Sequence, residues 1–498
     1  VLGRVPQGKH MDEMLYSLTR LDNGGVPSLR DTFAVDRGVD LRKCLADPAG
    51  TGPDGKLNSV IIDCTDAALQ AFLTEMRALD YDPEKCLLAL AKENGKNPSA
   101  PLEESLRFAC TKVALNIRKM GEELTNIIEG LDGQYVLPGA SGAPTRGNAD
   151  ILPMGRNFYG LDPDTVPNPS SWVIGRQMAD QMIQKYVDEK GEYPREIGFI
   201  IWATDTMKTG GDDMSYILWL MGVRPVWNKT GGQVVGLEPV PLKELKRPRI
   251  DVTVHITGLF RDTFPNLIDM IDDAVKLVAG LDEKDEDNFL AANLRQDIVT
   301  GIAAGLTPDE ARRRNSVRVF GAPPGGYGTG IDKMIEAGSW KTVQDLADCY
   351  IDWCSNGYSK GNYGMKMRDE FVKRFSKVGV TVKNMPDREI DLLDCDDVYQ
   401  YLGGMNAFVR AYGRKDAMTV MGDGSDPKHV KVRDTAEECR YVFRSKILNP
   451  KFISGLKEHG YRGAGEMANI TEYTMAWGAT SDIVDDWMYK GLADKFLF

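Results

Sequence analysis

Residues 198–227 read GFIIWATDTMKTGGDDMSYILWLMGVRPVW. The apolar run Gly198–Trp202 has the look of a strand covered on both faces. A polar loop follows, Thr204 to Gly211, and then the pair Asp212-Asp213. Met214, Ile217, Leu218 and Met221 have helical spacing, Gly222 stops the helix, and Val223–Trp227 reads as a further strand. In a parallel sheet the loop after such a strand lies at the carboxyl edge, where α/β proteins bind ligands. The glycine pair would let backbone approach a bound group, and Asp212 and Asp213 suit a helix start. A purely structural cap would use the same two acids.

Two similar units follow. Ile250–Gly258 alternates, with Val252, Val254 and Ile256 on one face and Thr253, His255 and Thr257 on the other. Its loop carries Arg261 and Asp262 ahead of a helix from Leu267 to Val278. Val317–Phe320 then leads into the glycine-rich Gly321–Gly330, which contains Gly325, Gly326 and Tyr327, and a helix from Ile331. A glycine loop before a helix can bind anions through its N–H groups, but it is not GxGxxG and makes a weak dinucleotide signal. The fold class expected is α/β, a mainly parallel sheet lobe flanked by largely helical regions. The expected spans are a mostly helical region at 1–135, a Pro/Gly-rich functional loop or linker at 136–171, the α/β lobe at 172–335, and a mostly helical lobe at 336–498.

Outside the lobe, Val113, Ile117, Met120, Leu124 and Ile128 mark one long amphipathic helix. Gly50–Lys56 imitates a phosphate-binding loop, but Leu57 stands where Ser or Thr would hold magnesium, and no strand precedes it. In the 136–171 stretch Arg156 and Asn157 sit beside Phe158 and Tyr159, a setting for a flat ligand bearing carboxylates. Arginines pairing with acids across a linker would look the same. Residues 280–316, acidic and then basic, read as a solvated helical insertion. The 498 residues imply several lobes. A net charge of −12 argues against nucleic-acid or anionic-membrane surfaces, and no apolar run reaches the length of a membrane span. Eight cysteines without a CxxC pair point to reduced thiols and a cytoplasmic setting. Four histidines without ligand spacing give no standing metal site.

Several ordered segments resemble one family. They are Val1–Arg4, Leu15–Gly24, Leu131–Val136, Ser141–Gly147 (SGAPTRG), Gly155–Tyr159 (GRNFY) and Phe260–Asn266 (FRDTFPN). Together they resemble the large subunit of the aerobic-type cobaltochelatases, a family that includes the magnesium chelatase large subunit. The SGAPTRG and GRNFY wording is closer to the cobalt branch. The resemblance implies the C-terminal portion of a longer subunit, with the family's His-Gly…Glu…Pro-Gly-Lys motif upstream of Val1 and a short tail beyond Phe498. His255 departs from the family pattern and receives little catalytic weight.

The resemblance implies insertion of cobalt(II), as substrate metal, into a corrin-type tetrapyrrole for cobalamin biosynthesis. ATP and Mg2+ would be used by AAA+-type ATPase and accessory chelatase partner subunits. Insertion removes ring N–H protons and strips water from the ion, which suits carboxylates. Asp205, Asp213 and Asp262 are the expected proton-handling groups. Arg156, Asn157, Lys208, Arg261, Gly325, Gly326 and Tyr327 are the expected ring-binding groups. Magnesium insertion into protoporphyrin, and a non-catalytic tetrapyrrole-binding or scaffold module, are the competing readings.

Overall fold

A computed structural model describes residues 5–52, 55–140, 142–229 and 232–497. The side chains of Asn157, Phe158 and Tyr159, and parts of the motifs read at Val1–Arg4, Gly50–Lys56 and Ser141, lie outside the described residues. The chain forms two compact units, 1–160 and 161–498.

The first unit is helical around a core that includes Leu15, Phe33, Phe72, Leu73, Leu106 and Ile117. Helix runs from Ala100 to Leu131, but not as one regular rod. A π-helical turn at Ala109–Val113 and a 3-10 turn at Lys119–Gly121 re-phase it. The expected apolar stripe therefore splits: Val113 and Ile117 are buried, whereas Leu124 and Ile128 are exposed. Near the end of the unit, Pro138–Ala140 pairs in parallel with Asn157–Tyr159.

The second unit is built on an eight-stranded sheet. Its strands are β1 (Glu196–Ile201), β2 (Asp251–Ile256), β3 (Val319–Gly321), β4 (Asn356–Ser359), β5 (Asn362–Lys366), β6 (Val380–Met385), β7 (Met418–Asp423) and β8 (Lys431–Asp434). The spatial order is β8-β7-β6-β1-β2-β3-β4-β5. The five central strands are parallel, and β8, β4 and β5 add antiparallel. The three strands read from sequence thus share one mainly parallel sheet. The sheet does not end at residue 335, however: five strands come from the stretch expected to be mostly helical. Val223–Trp227, expected as the next strand, pairs instead with Val234–Pro239 in a separate antiparallel ribbon.

Alternation along the strands divides two cores. Ile197, Phe199, Ile201, Val252, Val254 and Ile256 face one, while Ile200, Phe320 and Met421 face the other, with Tyr350, Phe408 and Trp477. Helices α1 (Pro169–Lys190) and α3 (Asp212–Met221) pack on each other over the first face. Between β1 and α3 the expected loop is a short helix, α2 (Ala203–Thr209). Gly210 and Gly211 take left-handed φ of 69° and 107° to turn the chain from α2 into α3. A Cβ on Gly210 would lie 2.0 Å from the Asn168 amide, and one on Gly211 2.7 Å from Val166. The pair is therefore packed against its own chain rather than open to a ligand. The 280–316 stretch does hold two helices, Phe289–Ala303 and Pro308–Asn315, but Leu290, Ala291 and Leu294 are buried, so it is part of the lobe.

Candidate functional site

The neighbours of β1 are β2 on one side and β6 on the other, so connections leave the β1/β6 boundary in opposite directions. In open α/β sheets ligands bind outside the carboxyl ends at such a point. Three of the sequence-predicted residues lie there, on α2 and α3. The Asp205 carboxylate accepts from the Lys383 ammonium of β6, and that ammonium lies 4.4 Å from the centroid of the Trp202 ring. Lys208 pairs with Asp387 at 2.9 Å. Asp213 Oδ1 accepts from the Asn384 side-chain N–H at 2.7 Å.

Asp213 is 3% exposed, and its second oxygen has no hydrogen-bond partner. Burial pushes its carboxyl up to about 7; Lys383 opposes this and Asp205 adds to it. A void of about 10 Å³ lies among Asp205, Thr209, Asp212, Asp213, Asn384 and Met385, room for about one water. Sequence reading missed Lys383, Asn384 and Asp387. The alternation Val378, Val380, Val382 was the available signal for their strand.

A second cluster forms where the β2 and β3 loops meet. Helix α4 (Gly258–Thr263) opens on Thr257, whose hydroxyl accepts from the Phe260 N–H. Arg261 lies on it and is 1% exposed. Its guanidinium donates to both Asp262 oxygens, at 2.7 and 2.9 Å, and to the carbonyls of Pro323 and Gly326, at 2.7 and 3.0 Å. Tyr327 donates its hydroxyl to Asp262 at 2.6 Å. Arg261 therefore fastens the glycine loop to α4, and its role as a direct holder of ring carboxylates is not what this geometry supports: a buried cation with these partners has little left to offer a ligand. Its hydrogen bonds hold the Asp262 carboxyl below its ordinary value. A Cβ on Gly258 would lie 2.5 Å from the Tyr327 ring, so only glycine lets the ring lie there. What reaches solvent is Tyr327, 58% exposed, with Pro323, Pro324, Gly325 and the outer side of Asp262.

Arg156 and Asn157 belong to the first unit. Arg156 is exposed and donates weakly to the Leu152 carbonyl at 3.4 Å. His255 is fully buried, hydrogen-bonded to the Tyr350 hydroxyl, and burial drops its pKa to about 3. It is a neutral core histidine. A cleft of about 570 Å³ lies apart from all these residues, lined by Lys276, Arg295, Arg312, Arg313 and Lys360 among others. No helix among the described residues is long and apolar enough to cross a membrane.

Residues 1–498 match the family described as CobN/Magnesium Chelatase. The aerobic cobaltochelatase subunit CobN of Pseudomonas aeruginosa is 39% identical over all of this chain and 40% of its own length. The chloroplastic magnesium-chelatase subunit ChlH of Oryza sativa subsp. indica is 34% identical over 75% of this chain and 27% of its own. The solved catalytic subunit of cobaltochelatase from Mycobacterium tuberculosis superposes with a TM-score of 0.88 at 36% identity, across 99% of this chain and 40% of that one. The chain thus spans about two fifths of the length of these cobaltochelatase relatives. On the full-length match in sequence and in fold, the chain belongs to the CobN/magnesium chelatase family.

Proposed function

We propose that this chain is a C-terminal portion of the tetrapyrrole-binding large subunit of an ATP-dependent metal chelatase, a ligase forming nitrogen–metal bonds. In this reading the metal is cobalt(II) and the ring is a corrin-type macrocycle. The observation that carries it is the match to a cobaltochelatase subunit over the whole chain, against 75% of the chain for a magnesium relative. Activity would require the rest of the subunit and AAA+-type ATPase and accessory partner subunits, which would use ATP and Mg2+.

The residues divide the work by exposure. Asp262 and Tyr327 reach the surface beside a rim of glycine and proline backbone, where a flat ring can lie. In this reading Asp262 is the rim carboxylate facing the ring N–H groups, a hydrogen-bond acceptor whose low pKa makes it a weak base. Arg261 positions both Asp262 and Tyr327 through the glycine loop. In the first unit, taken by itself, the exposed Arg156 is the group suited to a carboxylate of the ring. Asp205, Lys208 and Asp213 sit deeper and set the electrostatics of the β1/β6 edge.

In the intact subunit, Arg156→Ala should weaken ring binding by roughly 10- to 100-fold, the worth of a charge-assisted hydrogen bond. Arg261→Ala should weaken it similarly by releasing the glycine loop. Ring fluorescence quenching measures both. Unchanged affinity in both variants would remove the site assignment. Cobalt insertion by the intact subunit with its ATPase partners separates a chelatase from a mere carrier. Calorimetry on this chain alone should show no magnesium-dependent ATP binding, since Leu57 disarms the Gly50–Lys56 loop. A tight ATP isotherm would contradict that.

A further inference from the structure

The segment leaving β6 carries three consecutive metal-binding side chains, Cys395, Asp396 and Asp397, where the helical stretch to Tyr412 begins. The Cys395 Sγ and one carboxylate oxygen from each aspartate lie within 4.8 Å of one another. A single ion could draw all three onto itself. The charged groups facing Asp397 are Asp396 and Asp332, both carboxylates. Glu472, on the helix Tyr461–Ser481, adds a further acid that faces Asp396. The ammonium of Lys446 is engaged further up the chain, with Asp391 and Asp394.

Two further features accompany the cluster. Tyr399 is fully buried, and its hydroxyl has no hydrogen-bond partner. The carboxylates facing it are Glu472, Asp396 and Asp332. A buried hydroxyl left unsatisfied among carboxylates is unfavourable, and water carried by an ion held there would supply its partner. Gln400 supplies the outer support. Its Nε2 donates to Asp397 at 2.8 Å, and its Oε1 accepts from the Thr329 N–H at 3.1 Å. Such partners orient metal ligands and tune affinity. Thr329 ends the glycine loop, so this contact ties the cluster to the rim described above.

We propose that Cys395, Asp396 and Asp397 form a binding site for a borderline divalent cation, cobalt(II) rather than magnesium, beside the glycine loop. Thiolate favours cobalt or zinc, whereas magnesium takes oxygen donors and keeps its water. On binding, the cobalt–sulfur bond forms as the thiol proton passes to solvent. That the ion is cargo for a macrocycle rests on the function proposed above; that the site takes cobalt does not.

The test is a titration of the full 498-residue chain with cobalt(II) chloride, followed by near-ultraviolet absorption. A thiolate-to-cobalt charge-transfer band should grow and saturate. It should vanish in Cys395→Ser and persist in Cys64→Ser, which alters an exposed cysteine elsewhere. Asp397→Asn should shift the titration about 10- to 100-fold to higher cobalt, and zinc should displace cobalt where excess magnesium does not. Absence of the band, its survival in Cys395→Ser, or displacement by magnesium overturns the site. If cobalt binds as described but the Cys395→Ser subunit still inserts cobalt at the unaltered rate, the cargo role falls and the binding site stands.

Discussion

Replacing Asp251 by alanine should cost the second unit about 3–5 kcal/mol, the usual cost of stripping one partner from a buried ion cluster. Asp251 is fully buried at the start of β2. It accepts from Arg318 at 2.7 Å and from Arg374 at 2.7 Å. Arg374 also meets Glu196 at 2.5 Å and the Thr253 hydroxyl at 2.9 Å. Burial alone would raise the Asp251 pKa, but the two arginines hold it down at about 2. Without Asp251, the hydrogen bonds of Arg318 among the described residues go only to the backbone carbonyls of Asn315 and Val317, and Glu196, already taken by Arg374, is the acid left to balance its charge. All eight tryptophans lie in residues 161–498, so tryptophan fluorescence in urea reads this unit without interference from the first. A loss below about 1 kcal/mol would mean that water reaches the cluster and screens it. The double variant Asp251→Ala with Arg318→Met should recover part of the loss, because it no longer leaves a lone buried cation.

Asp213→Asn should change how stability depends on pH. In the folded chain the carboxyl titrates near 7, and in the unfolded chain near its ordinary value of about 3.9. The folded state therefore holds a proton that the unfolded state has released between roughly pH 4 and 7. Stability from this group is present in full below about pH 4 and is lost as pH rises through about 7. The loss at pH 8 is on the order of 4 kcal/mol. Asparagine cannot ionise, and its oxygen can still accept from Asn384. The variant should match the wild type near pH 4 and melt higher at pH 8. Parallel melting curves across that range would show that Asp213 is ionised when buried, with Lys383 balancing it.

The strands β1, β2 and β3 were legible because an apolar run in β1 and β3, and alternation in β2, each stand before a loop and helix. β6 and β7 were not, for a physical reason. Val380–Met385 reads VTVKNM and Met418–Asp423 reads MTVMGD, and a lysine, an asparagine and an aspartate mask the strand alternation. Lys383 and Asn384 are where they are because Asp205 and Asp213 wait for them, more than 170 residues earlier in the chain, and Asp423 meets Arg388 and Arg433. Sequence placed Asp205, Lys208 and Asp213 at the sheet edge but had no means of supplying such distant partners. The helix α2 was read as a loop because its seven residues are mostly polar and too few to show a period. Arg261 illustrates the other limit: a charge in a loop looks like a ligand holder until its burial and its five protein oxygens are known. Cys395 escaped notice because adjacent donors form no spaced motif.

The antiparallel strands at both margins of the sheet have a consequence for solubility. A central parallel sheet with bare edges would present unpaired N–H and C=O groups that could recruit strands from other chains. Here β8 closes one margin with Lys431, Arg433 and Asp434, and β5 closes the other with a short strand ending in Lys366. Charged, short outer strands discourage edge-to-edge addition. The apolar strands least able to tolerate exposure are thereby kept from templating fibrils while the unit stays folded.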